Sequence, residues 1–168
     1  PATKFRLGSI TKQFTAAAIL ELEELGKLSV ADPITKFFAD VPADKQAITI
    51  HHLLTHQAGF PGAIGDDLER IGRDAFVRQA FATSLQFAPG TKYDYSNVGY
   101  SLAAAIVELV SGEGYEAFLA RHLFAPAGMK ETGYHLPKWD PARLAHGVRR
   151  DGGDWGTMVE NEFSNGGP

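Results

Sequence analysis

The 168-residue sequence contains no cysteine, which excludes three kinds of chemistry. Without thiols the chain has no disulfide framework, no thiolate nucleophile and no cysteine-type zinc site, and it suits either redox compartment. No apolar run approaches the roughly 18 residues of a membrane-spanning helix, so we expect no membrane span. Basic runs are also lacking, and a formal charge of −4 argues against a nucleic-acid partner. The length suits one domain with a real core.

What the sequence does contain is a Ser-x-x-Lys motif, Ser9 to Lys12, at the head of a helix-forming run. We predict a helix from Ser9 to Leu25, ended by Gly26 and buried on most sides because it is apolar on most sides. Residues three apart share one helix face, so the lysine ammonium can reach the serine hydroxyl. A lysine of lowered pKa can act as the base that a serine nucleophile needs. The alternative is an N-cap serine followed by a solvated lysine.

A second chemical element is Tyr95-x-Asn97, which follows a Pro-Gly turn at residues 89–90. A phenol beside a lysine ammonium loses its proton more easily, and it could then serve as general base and general acid. The Asn97 amide could hold Lys12 and donate to a bound carbonyl. The alternative is a tyrosine packed at a helix entrance, with Asn97 as the helix cap.

The remaining pattern predicts a mainly α protein. Residues 3–7 alternate and favour a short extended lead-in, and further helices are predicted to end near Phe38 and to cover residues 48–56, 73–83, 98–110 and 115–124. Only residues 145–159 could form a hairpin. We therefore expect one partial domain over residues 1–168, with a helical region at 1–135 and an irregular or hairpin tail at 136–168.

Three stretches carry a resemblance to a known family: GSITKQFTA at residues 8–16, ITIHHLLTHQAGF at 48–60, and PGTKYDYSNVGY at 89–100 followed by Ser-Gly at 111–112. They closely resemble the serine β-lactamase-like superfamily, in the branch of class C β-lactamases, D-alanyl-D-alanine carboxypeptidases and related esterases. The resemblance implies an acyl-enzyme on Ser9, with Lys12 and Tyr95 as the general-base pair and Asn97 binding substrate. It implies no metal and no organic cofactor.

The family's third motif, Lys-Thr-Gly or His-x-Gly on a strand, is absent from this sequence. Residues 131–133, Glu-Thr-Gly, look superficially like it but are expected to be ordinary structure. Since almost no strand-forming sequence is present, we expect the helical region of the family's α/β plus all-α fold, with most of the sheet absent. The chain should then expose an apolar patch beside Ser9 and need a complementing segment or self-association.

Several other residues invite a functional interpretation that we do not favour. His52 and His56 have the i, i+4 spacing of two zinc ligands, but no glutamate follows the first histidine and no third ligand is evident. We expect these two and His51 to pack or to cap helices. Two more groups are expected to be structural: a core or groove wall of Phe37, Phe38, Trp139 and Trp155, and a solvated loop face of Asp66, Asp67 and Glu69.

The sequence therefore predicts a serine acyl-hydrolase that acts on small-molecule esters, β-lactams or D-Ala-D-Ala-type peptides. Two alternatives from other classes are a non-catalytic binding or scaffold member of the same fold and an inactive helical fragment. Covalent labelling of Ser9 separates the enzyme from both alternatives.

Overall fold

A computed structural model describes residues 3–65, 71–133, 140–143 and 145. The helices are, in chain order, α1 (Thr11–Glu24), α2 (Ile50–Leu54), α3 (Arg73–Ala82), α4 (Asn97–Ser111) and α5 (Tyr115–Leu119), which continues as a π-helical turn over Ala120–Phe124. Short 3₁₀ turns cover Gly8–Ile10, Ile34–Lys36, Ala43–Lys45 and Pro141–Arg143. Within the described ranges there is no strand; Pro33 and Thr49 form an isolated antiparallel bridge. The mainly α class predicted from the sequence is confirmed.

Helix α4 is the centre of the fold. Ten consecutive residues, 98–107, are buried, and α1, α2, α3 and α5 all pack against this helix. Its run of three alanines at 103–105 presents small side chains, which lets neighbouring helices approach closely. The sequence predicted that the helix at Ser9–Leu25 needs cover on most sides and that this chain leaves an apolar patch exposed beside Ser9. The apolar side chains of Ile10, Leu20 and Leu25 are 55%, 49% and 49% exposed.

One side of α1 is well packed, and that side holds it in a fixed position. The ring of Phe14 meets the ring of Phe124 edge to face at 5.2 Å, a favoured aromatic geometry. The hydroxyls of Thr15 and Tyr115 lie 2.8 Å apart in the buried interface with α5. Ala18, Ile19 and Leu22 are fully buried in the core shared with α4. These contacts fix α1 against α4 and α5.

The predicted helix boundaries agree with the structure to within a few residues, but the cap of α4 differs from the one in the alternative interpretation. Helix α4 begins at Asn97, and its cap is Ser96, whose Oγ accepts the Gly99 N–H at 3.1 Å. The cap is therefore not Asn97, as the alternative interpretation supposed. Helix α2 is capped by Thr49, whose Oγ1 accepts the His52 N–H at 3.3 Å. None of the described helices is long and apolar enough to cross a membrane.

Two loops, residues 56–62 and 86–97, are joined by backbone hydrogen bonds that run beside α2 and the start of α4. The N–H groups of Gln86, Gly90, Asp94 and Asn97 donate to the carbonyls of Gly59, Gln57, His56 and Gly62. Gly59 has φ +85°, and a Cβ there would lie 2.3 Å from the carbonyl oxygen of Phe87. Because this approach excludes a side chain, a glycine is required where the loops meet. The paired loops place Tyr95 beside the turn that precedes α1.

The chain start and residue 131 are structurally linked. The backbone of Lys4 exchanges hydrogen bonds with Arg143 and Ala145, so the predicted extended lead-in is present at this residue. The Glu131 carboxylate forms ion pairs with Lys4 and Arg143, which is a structural role for the Glu-Thr-Gly segment. The other sequence features of the tail and of the acidic loop lie outside the described residues; they are Asp66, Asp67, Glu69, Trp139, Trp155 and, except for Ala145, the hairpin predicted at 145–159.

Candidate active site

Ser9 lies in the 3₁₀ turn that leads into α1, not in the α-helix itself, which begins at Thr11. The preceding Gly8 has φ +52°, a conformation that glycine adopts without steric penalty. The turn leaves Ser9 exposed, and its Oγ accepts a hydrogen bond from the Tyr95 hydroxyl at 2.7 Å. A nucleophile at this position is accessible to a substrate, and it contacts a group that can exchange a proton with it, the Tyr95 phenol.

Lys12 is one turn further along and is only 7% exposed. Its Nζ donates to Asn97 Oδ1 at 2.7 Å. The same ammonium lies 5.1 Å from the centroid of the Tyr95 ring and 5.5 Å from that of Tyr100, which are cation–π distances. A buried ammonium needs such compensation, because removal of a charge from water is expensive. This burial contradicts the alternative of a solvated lysine.

Asn97 and Tyr95 reach the site from the N-terminus of α4. Because Ser96 caps the helix, the Asn97 side chain is available to Lys12, and its Oδ1 is the end that faces the ammonium. Tyr95 is exposed rather than packed into the core, with its hydroxyl on Ser9. The tertiary structure thus brings together all four predicted residues, Ser9, Lys12, Tyr95 and Asn97.

The environment of Tyr95 changes its acidity. Burial raises the pKa of a phenol, but here the hydrogen bonds with Ser9 and Lys12 and the positive charge of Lys12 outweigh it, and the pKa of Tyr95 is lowered from its ordinary value of 10.0. The contact with Ser9 can serve both protonation states: the phenol donates to Oγ, and a phenolate would accept the serine proton. The pair can therefore pass a proton in either direction.

His51, His52 and His56 do not converge on a metal site. His52 Nδ1 accepts the Thr49 N–H at 3.2 Å, completing the cap of α2, and His56 Nδ1 accepts the Ser96 N–H at 3.1 Å. His51 is exposed on α2. In the part of the chain that the structure describes, no group of three or more His, Asp or Glu side chains is arranged to hold a metal ion. The two ring nitrogens named here each accept a backbone N–H.

Two residues that support the site were not identified from the sequence. Ser96 both caps α4 and donates from Oγ to the carbonyl of Pro61 at 2.7 Å, which ties the helix start to the facing loop. Tyr100 lies under the Lys12 ammonium and donates to the carbonyl of Leu54 at 2.9 Å. A serine at the start of a predicted helix is an N-cap signal that could have revealed Ser96. Nothing local to Tyr100 reveals its contact with Lys12, which is remote in sequence.

The described helices gather a serine, a lysine, a tyrosine and an asparagine at the start of α1, and this arrangement defines the class of protein with which the chain can be compared. A model of the beta-lactamase family matches residues 1–163, and the chain belongs to that family. The resemblance drawn from the sequence motifs is thereby confirmed.

Named relatives show the range of the family. The chain is 35% identical over 150 residues to a penicillin-binding protein of Bacillus subtilis (84% of this chain, 33% of the relative) and 29% identical over 178 residues to the esterase EstB of Burkholderia gladioli (87% and 45%). Among solved structures it is similar to a beta-lactamase/D-alanine carboxypeptidase from Yersinia pestis, with TM-score 0.80 and 25% identity (99% of this chain, 49% of that one). The chain spans about a third to a half of the length of these proteins.

The lowered pKa of Tyr95 generates a testable prediction. Lys12→Met removes the cation and the hydrogen bond that favour the phenolate, so we expect the pKa of Tyr95 to rise. The measurement is a pH titration of Tyr95 by NMR with ¹³Cζ-labelled tyrosine. Lys92→Met is the matched control. Lys92 lies on the same loop as Tyr95, but its ammonium pairs with the Asp94 carboxylate at 3.3 Å. An unchanged Tyr95 titration in Lys12→Met would contradict the prediction.

Proposed function

We propose that the protein is a serine acyl-hydrolase that forms an acyl-enzyme on Ser9. The observation that carries the proposal is the 2.7 Å hydrogen bond between Ser9 Oγ and the Tyr95 hydroxyl, with the Lys12 ammonium beside the Tyr95 ring. A serine nucleophile needs a neighbouring base, and a tyrosine of lowered pKa in direct contact can be that base. Membership of the beta-lactamase family supports the same reaction type.

The proposed reaction proceeds in two acyl transfers. With Tyr95 in its phenolate form, Ser9 Oγ attacks the carbonyl carbon of the substrate while its proton passes to the Tyr95 oxygen. The tetrahedral intermediate collapses, the bond to the leaving group breaks, and Tyr95 returns the proton to that group. Water then attacks the acyl-enzyme and gives a proton to the Tyr95 oxygen; the bond to Ser9 Oγ breaks, Tyr95 returns the proton to Oγ, and the acid product leaves.

Lys12 and Asn97 have supporting roles in this proposal. Tyr95 is the group in hydrogen-bond contact with Ser9, so it exchanges the proton directly, and Lys12 keeps the phenolate favourable by its charge. Asn97 Oδ1 is engaged by Lys12, which leaves the Nδ2 end of the amide as the donor toward a substrate carbonyl. The proposed substrates are esters, β-lactams and D-Ala-D-Ala-type amides, in keeping with the names of the relatives.

The apolar surface next to Ser9 supports a second part of the proposal. Phe5 is 72% exposed, and Leu7 and Ile10 on either side of the serine are also exposed. Covering each such side chain would contribute about 1.5–3 kcal/mol, which together is comparable to the net stability of a domain. We infer that a complementing polypeptide segment, or failing that a second copy of the chain, covers this patch in the active protein.

Substitution of Ser9 tests the proposed nucleophile. In the full-length protein, Ser9→Ala should abolish covalent labelling by a fluorophosphonate and abolish turnover while leaving the melting temperature unchanged. Tyr95→Phe and Lys12→Ala should each lower turnover by about 10²–10⁴-fold, the usual worth of general-base assistance. Ser84→Ala, at an exposed serine after α3, is the control and should behave like the unmodified protein. Labelling that survives Ser9→Ala would disprove the acyl-enzyme.

Substrate preference is tested by a direct comparison. The site is open, since Ser9, Tyr95 and Gly62 are all exposed, and we expect short acyl esters to be cleaved more readily than β-lactams. The measurement is kcat/KM of the full-length protein for p-nitrophenyl butyrate and for nitrocefin. A much larger value for nitrocefin would reverse the assignment while leaving the acyl-enzyme intact.

The need for a complementing segment is tested on residues 1–168 alone. We expect this polypeptide to self-associate through the exposed apolar side chains and to have little or no esterase activity. Analytical ultracentrifugation and the p-nitrophenyl butyrate assay check both points, with Phe5→Ser and Ile10→Ser as variants that should weaken association. A well-folded monomer with full activity would rule out the requirement.

A further inference from the structure

We infer that His56 is a positioning residue for the proposed reaction, because its unprotonated Nδ1 holds the loop that presents Tyr95 to Ser9. This inference rests on the proposed function and adds a residue on which the placement of Tyr95 depends. His56 does not touch the reacting serine; it acts through the tyrosine and through the start of α4.

His56 accepts two hydrogen bonds, one from each of the residues next to Tyr95 in the sequence. The carbonyl of His56 accepts the Asp94 N–H at 2.9 Å, and its Nδ1 accepts the Ser96 N–H at 3.1 Å. One bond precedes Tyr95 and the other follows it, so the backbone of the tyrosine is held on both sides. His56 itself has φ +57°, a left-handed conformation that is uncommon outside glycine and that turns both acceptors toward the loop.

The ring of His56 also contacts the tyrosine side chains. Its centroid lies 4.5 Å from that of Tyr95 at an interplanar angle of 34°, and 5.0 Å from that of Tyr100 at 39°. Tyr93 meets the same ring edge on at 5.7 Å. These three contacts fix the orientation of the imidazole, and therefore the position of its Nδ1 opposite the Ser96 N–H.

The acceptor bond requires a neutral imidazole with its proton on Nε2. Burial and the nearby Lys12 charge lower the pKa of His56 below its ordinary value of 6.5, so the ring is neutral at neutral pH. The titratable groups that face the ring are Lys12 from α1, Tyr100 from α4, and Tyr93 and Tyr95 from the loop. Protonation would place a donor on Nδ1 opposite the Ser96 N–H, and the bond would be lost.

Three substitutions separate the acceptor from the ring and from the backbone conformation. Asparagine tolerates a positive φ, and its short amide can supply an oxygen near the place of Nδ1, so His56→Asn keeps the acceptor without the ring. His56→Gly keeps the conformation without either group. His56→Phe keeps an aromatic ring without the acceptor. His51→Asn, at the exposed histidine on α2, is the control and should leave labelling unchanged.

The first measurement is the rate of Ser9 labelling by a fluorophosphonate in the full-length protein, with melting temperatures recorded for each variant. We expect His56→Asn to stay within about threefold of the unmodified protein, and His56→Gly and His56→Phe to be slower by about tenfold to a hundredfold, the scale of a small misplacement in an active site. A merely packing role predicts rescue by phenylalanine and not by asparagine. Labelling by His56→Gly or His56→Phe at the full rate would overturn the inference, as would a His56→Asn protein as slow as His56→Gly.

The second measurement does not depend on turnover. Long-range ¹⁵N–¹H spectra should show the neutral His56 ring protonated on Nε2, and the pKa of Tyr95 should move back toward 10.0 in His56→Gly and His56→Phe but not in His56→Asn. A proton on Nδ1, or one Tyr95 pKa common to all variants, would overturn the inference. If the unmodified protein is not labelled at all, the proposed function fails, and these spectra alone decide whether His56 positions Tyr95.

Discussion

The site depends on the burial of one ammonium group. Lys12 is nearly inaccessible to water, and a buried cation is tolerated only when polar or aromatic partners surround it. Its partners come from α4 and the loop before it: the carbonyl oxygen of the Asn97 amide and the faces of two tyrosines. The requirement to satisfy this charge therefore fixes the start of α4 against the start of α1. The position of Tyr95 at Ser9 follows from the same arrangement.

The rest of the fold supplies a rigid base for that contact. Helix α4 is buried along most of its length, so its N-terminus cannot shift without disturbing the packing of four other helices. The loops at 56–62 and 86–97 are held to one another by main-chain hydrogen bonds, with Gly59 at their closest approach. A loop that would otherwise be mobile is thus attached at several points. Precise placement of a phenol on a loop requires this kind of support.

The local chemistry of the chain was predictable to a useful degree. Ser9 and Lys12 could be paired from their spacing on a helical run, and helix stops such as Gly112, which has φ +74°, lie where glycine signals placed them. The apolar run of α1 predicted a need for cover on most sides, and the lack of strand-forming sequence predicted an apolar patch exposed beside Ser9. Which helix lies at the centre of the fold was not predicted: α4 has neighbours on more sides than α1 does.

The sequence by itself determined the residue types, the helical periods and the motif spacings, because these depend on interactions within a few residues of one another. It therefore indicated the family and the four side chains of the site. Only the tertiary structure decided that Asn97 bonds Lys12 and does not cap α4, and that His56 lies against Tyr95. Those contacts join residues 85 and about 40 positions apart, and their geometry arises from the packing of whole helices. Short-range patterns contain no information about such distances.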